Sequence, residues 1–214
     1  MILLFLVVLL IIVIFNKTSG RQNLSEYLRE TKHLDFQDHV FWKILGLITA
    51  DSMSLDQKLE KLFYFTRDGL QFANSAHMKA SDALREGKAL CYTKAMIYIS
   101  FCRRLGIPAK LAMIYFHIIE DAQKGRRYAH GIAKIYLNGR WIYVDTVSNR
   151  DAWNHWGIKE TAAFEPPRFT GRGDVVVSSE YYDCINFKDY ETNDVPQEWL
   201  DQMCTFLKTG KWRE

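Results

Sequence analysis

The sequence predicts an α+β fold in which helices come first and an antiparallel sheet follows. Three observations carry this expectation. Apolar residues recur at helical spacing in the N-terminal half, a helix-like run opens at Cys91, and two β-prone runs flank Asn138-Gly139. With 214 residues, 48% of them hydrophobic, the chain can bury one sizeable core. No internal repeat or low-complexity linker divides it.

Phe36, Val40, Phe41, Ile44, Leu45 and Ile48 lie on one face of a first helix. Ser54 and Gln57 form a capping box ahead of Leu55, Leu59, Leu62 and Phe63, and this second helix should end near Asp68-Gly69. A short helix over Asp82 to Glu86 follows, begun by Ser81 and closed by Gly87. Gly87 to Leu90 reads as loop, which places Cys91 in the first turn of the next helix. Ala95, Met96, Ile97, Ile99, Phe101 and Leu105 give that helix its apolar surface, Arg103 and Arg104 suit its C-terminal dipole, and Gly106 with Pro108 ends it. Free N–H groups of a first turn stabilise a thiolate and lower its pKa. They also suit an oxyanion.

Strands are expected over Lys110 to Ile119, Ala129 to Leu137 and Arg140 to Val147. Asn138-Gly139 is the strongest short signal for a two-residue turn with positive φ at both positions. Such a turn fixes the register, so Leu137 faces Arg140, Ile132 faces Asp145 and His130 faces Val147. His130 and Asp145 then share a sheet face as diagonal neighbours, roughly 7–8 Å apart at the backbone. An imidazole and a carboxylate can meet across that gap. Beyond Asn149 the chain is less legible: Glu165-Pro166-Pro167 and Gly171-Arg172-Gly173 punctuate loops, Val175 to Val177 suggests a strand, and Asp194 to Lys208 a closing helix with Pro196 in its first turn. Arg172-Gly173-Asp174 reads as a plain turn.

Cys91, His130 and Asp145 in that order suggest a thiol nucleophile, its base and the group that orients the base. The stretch Ala80-Ser81-Asp82-Ala83-Leu84-Arg85-Glu86-Gly87, then Cys91, then Arg103-Arg104-Leu105-Gly106-Ile107-Pro108-Ala109-Lys110, resembles the core of the transglutaminase-like superfamily; so does His130 followed by Trp141-Ile142-Tyr143-Val144-Asp145. The resemblance covers about Ser54 to Asn149. It implies a papain-like, transglutaminase-like core, a cysteine helix packed on an antiparallel sheet, with Cys91 as nucleophile, His130 as general base and acid, and Asp145 as orienter. The sequence departs from the family where Ala89 and Leu90 precede the cysteine, Gly131 and Ile132 follow the histidine, and Thr146 follows the aspartate. The family spans cross-linking enzymes, peptidases, amidases and inactive binding domains, so it supplies a reaction centre and leaves the substrate open.

Other residues read as structural: His117 on its strand, and His155 between Trp153 and Trp156. Asp151 is a substitute for Asp145, and Gln71 and Asn74 are candidate oxyanion donors. The chemistry implies a protein or peptide substrate and calls for no cofactor and no metal. A zinc site from Cys91, His130 and Asp145 would lack a fourth ligand, and no acidic cluster suggests calcium. A silent, membrane-tethered peptide-binding domain is the rival reading from another class. The formal charge of +3, from 28 Lys and Arg against 25 Asp and Glu, argues against nucleic acid as a partner. The oligomeric state is not legible.

Of the four cysteines, Cys91 and Cys102 share a helix but stand roughly 16 Å apart, too far to bridge. A bridge between Cys184 and Cys204 is possible from sequence alone, with free thiols the favoured reading. At the N-terminus, Ile2 to Phe15 is an unbroken apolar run, with Lys17, Arg21, Arg29 and Lys32 all after it. The run is short for a bilayer span, and a cleaved signal peptide is the alternative. The charge order favours an uncleaved single anchor with the domain on the cytoplasmic side. The expected organisation is an anchor or signal over residues 1–20 and a catalytic domain over 21–214.

Overall fold

The computed structural model describes residues 23–73, 79–118, 128–149, 151–152, 166–176 and 182–201, with backbone alone for 115–118, 128 and 182–190. After a 3₁₀ turn at Ser25–Leu28, helix α1 spans His39–Ile48. Asp38 caps it by accepting from the Val40 N–H at 2.9 Å, and Arg85 pairs with the same carboxylate. Helix α2 (Leu55–Tyr64) opens on the expected capping box: Ser54 accepts from the Gln57 N–H and Gln57 from the Ser54 N–H. Its end loosens into a single π turn, Phe65–Gly69, which sets the chain into β1 (Gln71–Phe72).

Helix α3 covers Ala80–Glu86, two residues earlier than expected. Ser81 is therefore not its cap. The Ser81 N–H and hydroxyl both turn to Asp35, at 3.1 and 2.7 Å, a partner far away in sequence. Gly87 ends the helix in the left-handed region, as anticipated. The expected loop before Cys91 contains a two-residue strand, β2 (Lys88–Ala89), parallel to β1. Helix α4, Cys91–Arg104, is the centre of the molecule. Every residue from Tyr92 to Arg103 is buried, so the helix is enclosed on all sides rather than amphipathic. Phe101 stacks edge-on to Phe41 at 5.1 Å. Rings buried this fully each stabilise the fold by about 1.5–3 kcal/mol.

The sheet comprises β3 (Ala109–Ile118), β4 (Tyr128–Leu137), β5 (Arg140–Val144) and β6 (Tyr182–Thr192), in the order β5-β4-β3-β6, antiparallel throughout. The β4–β5 register follows the turn: Leu137 pairs with Arg140 and Ala133 with Val144. Asn138 and Gly139 have φ of 53° and 83°, as a two-residue hairpin turn requires. Helix α4 lies against β3 and β4, and Ala109, Leu111, Ala133 and Ile135 share the core with it.

One expected strand is corrected and one strand was missed. β5 stops at Val144 rather than Val147, because the chain turns at Asp145, whose side chain accepts from the backbone of the next residues. β6 was not foreseen as the far edge of the sheet. In the 175–177 stretch, Val175 makes a parallel bridge to Val144. The C-terminal helix begins at residue 197 and the described part ends at 201. Among the described residues no helix is long and apolar enough to cross a membrane. The run Ile2 to Phe15 lies outside them, as do Asn74, Trp153, His155, Trp156 and Cys204.

Candidate active site

Cys91 is the first residue of α4 and is half-buried. The preceding Leu90 is extended and offers no side-chain cap. First-turn N–H groups are thus left for another acceptor, and the Tyr92 N–H donates to the Cys91 sulfur. The same sulfur accepts from the Gly131 N–H on β4 and hydrogen-bonds to His130. Helix and strand must approach closely for this. A β-carbon at Gly131 would stand 2.8 Å from both Cα and Cβ of Tyr92. The glycine after the histidine, a departure in the sequence, is what lets the two backbones meet.

His130 is 2% exposed. Its Nε2 lies 3.1 Å from Asp145 Oδ1. Asp145 sits just past the end of β5 and is itself fixed from several sides. Its Oδ1 accepts from the N–H groups of Val147 (2.9 Å) and Ser148 (3.3 Å), its Oδ2 accepts from the Ser148 hydroxyl at 2.5 Å, and its own N–H donates to the Val175 carbonyl. The register fixed by Asn138-Gly139 thus brings imidazole and carboxylate together as the sequence foresaw. The carboxylate approaches from the turn after the strand instead of from the ladder.

Burial disfavours charge on each of the three groups, and in each case the partners outweigh it. Burial raises the Cys91 thiol, but the hydrogen bond and charge of His130, with the Gly131 and Tyr92 N–H groups, hold it below the usual thiol value. Burial opposes the imidazolium of His130, but Asp145 and Cys91 lift it to about 10. Burial likewise raises Asp145, and His130, Ser148 and Val147 bring it below the ordinary carboxylate value. All three directions favour a thiolate–imidazolium pair backed by an ionised carboxylate.

One buried group near the site escaped sequence reasoning. Lys94, one turn after Cys91, is 0% exposed and donates to the Arg67 carbonyl at 2.6 Å. Nothing local marks it, since its acceptor lies 27 positions away. Gln71 is exposed in β1, beside the strand that leads to Cys91. Asp151 stands at the start of a helical turn beyond the Asp145 loop; Asp145, not Asp151, holds the imidazole. Among the described residues no cluster of three or more His, Cys, Asp or Glu could hold a metal ion.

The fold is thus an α+β core in which a buried helix presents a cysteine to a histidine on an antiparallel sheet, the class of the papain-like and transglutaminase-like folds. Residues 44–146 match the family model of the transglutaminase-like superfamily, so the resemblance first seen in the motifs holds over that segment. Among solved structures, a protein titled a "putative cysteine protease" from Cytophaga hutchinsonii is similar in fold, with a TM-score of 0.50 and 16% identity over 60% of this chain and 44% of that one. A structure titled "a TGase" matches with a TM-score of 0.42 and 13% identity, over 91% of this chain and 53% of that one. The chain therefore spans about half the length of the solved structures it matches. No curated protein matches it. The family match supports a cysteine-dependent enzyme in general terms.

Proposed function

We propose that this protein is a cysteine-dependent acyl-transfer enzyme acting on amide bonds of protein or peptide substrates, with Cys91 as nucleophile, His130 as general base and acid, and Asp145 as the group that orients the imidazole. The observation that carries the reading is the continuous link from the Cys91 sulfur through His130 to Asp145, with 3.1 Å between Nε2 and Oδ1. The Cys91 thiolate attacks the amide carbon and an S–C bond forms. The carbonyl electrons move to oxygen and return as the C–N bond breaks, and the His130 imidazolium gives its proton to the departing amine. Water or a second amine then attacks the thioester while His130 takes its proton, and the C–S bond breaks to release acid or a new amide and restore the thiolate–imidazolium pair. Asp145 keeps the ring in the tautomer and orientation both steps need. N–H groups of the first turn of α4 are the proposed donors for the oxyanion.

The test is labelling with an electrophilic thiol probe in wild type, Cys91→Ala and His130→Ala, read by peptide mass. Selective labelling at Cys91 that weakens in His130→Ala supports the reading. Labelling spread evenly over the four cysteines contradicts it. The proposal includes attachment to a membrane through Ile2 to Phe15 with the segment retained. Recovery of the full chain in the soluble fraction after expression would overturn that part alone.

A further inference from the structure

Two buried polar side chains converge on one backbone oxygen behind the site. The Arg67 carbonyl, in the π turn after α2, accepts from Lys94 Nζ at 2.6 Å and from Asn149 Nδ2 at 2.8 Å. Lys94 belongs to the helix that carries Cys91. Asn149 belongs to the loop that carries Asp145, and its Oδ1 accepts from the Ala152 N–H at 3.0 Å. The turn itself is pinned. The Arg67 guanidinium makes a two-pronged contact with Asp68 (2.8 and 2.7 Å), donates to the Pro167 carbonyl, and lies over the rings of Phe63 and Tyr64. Asp68 also accepts from Asn149 at 3.3 Å.

Resting on the acyl-transfer reading above, we propose that Lys94 is a positioning residue for the reaction: through the Arg67 carbonyl it locks the Cys91 helix to the Asp145 loop and so sets the spacing of the nucleophile and the His130–Asp145 pair.

A buried ammonium is an expensive way to tie two elements if stability alone were the object. Burial opposes its charge and brings Lys94 down to about 8, against the pull of Asp68, Asp151 and Asp145 and with Arg67 adding repulsion. An apolar side chain would fill the same space without that desolvation cost. What an apolar side chain cannot do is share an acceptor with Asn149.

The experiment follows alkylation of Cys91 by iodoacetamide from pH 5 to 10 in the full chain, read by mass of the Cys91 peptide, for wild type, Lys94→Met, Asn149→Ala and the double variant, each with a melting curve. The wild-type midpoint judges the acyl-transfer reading by itself: an unshifted thiol midpoint there defeats that reading whatever the variants do. Given an activated wild type, Lys94→Met is expected to move the midpoint up by about one pH unit and slow labelling about tenfold on the acid side of the wild-type midpoint. Asn149→Ala should do the same, and the double variant should be no worse than the worse single, since both remove one bridge. Midpoints unchanged in the folded single variants overturn the proposal, whatever happens to melting temperature. Should Lys94→Met not fold, the Asn149→Ala midpoint decides: a rise supports the bridge and no change overturns it.

Discussion

The backbone of Gly131 lies directly against Tyr92, so close that a β-carbon there would stand 2.8 Å from the tyrosine Cα. This contact joins the strand bearing His130 to the helix bearing Cys91 and lets the Gly131 N–H reach the sulfur. The neighbour is backbone and a Cβ, neither of which can swing away. Gly131→Ala must therefore push strand from helix. The expected result is a loss of about 1–3 kcal/mol in stability with a larger effect on reactivity, roughly tenfold slower alkylation of Cys91. Thermal melts and labelling rates on one preparation check both.

The pH window of the reaction follows from the same geometry. Cys91 ionises below the usual thiol value and His130 holds its proton up to about 10. Amide cleavage needs both the thiolate and the imidazolium. Its rate is predicted to rise through the lowered Cys91 ionisation, hold between the two ionisations, and fall on the alkaline side as His130 loses its proton near 10. A profile with an acid limb at the unshifted thiol value would contradict this.

The ion pair also leaves a mark on stability. His130 is raised in the folded state, to about 10. Its contribution is therefore fully present below the unfolded histidine value, about 6.5, and is lost as pH rises through the folded value. Asp145 is lowered, so its contribution is present above the unfolded carboxylate value, about 3.9, and fades as pH falls. The penalty of His130→Ala in melting temperature should be largest between those unfolded values and shrink toward pH 10. A penalty that is flat across this range would contradict the pairing.

Arg103 supplies the contrasting case. It is 3% exposed at the far end of α4, where burial lowers it to about 10, and it donates to the carbonyls of Ala109, Arg29 and Asn193 and to the Asn193 side chain. Arg103→Leu leaves those buried acceptors without a partner. It is expected to cost about 3 kcal/mol or more, measured by denaturant unfolding, while the alkylation midpoint of Cys91 stays where it is.

The legible parts of this protein were those written locally. Asn138-Gly139 dictated a turn, the turn dictated the register, and the register placed His130 near Asp145. Ser54 and Gln57 announced their helix for the same reason: both halves of the capping box lie within one turn. Lys94 was invisible because its acceptor belongs to a turn 27 residues upstream, and a lysine inside a helix ordinarily signals a solvated face. β6 joins the sheet through backbone pairing with β3 across a long intervening stretch, which no local pattern announces. The early end of β5 came from Asp145 itself, whose side chain bonds the backbone of Val147 and Ser148 and competes with the ladder. The residue was identified for its chemistry, and the same side chain ended the strand.

The decisive measurement is the pH dependence of Cys91 alkylation in wild type and in His130→Ala. A thiol activated by His130 has a wild-type midpoint below that of an ordinary thiol, and the midpoint returns to or above the ordinary value once the imidazole is gone. Matching midpoints in the two folded proteins would contradict that activation.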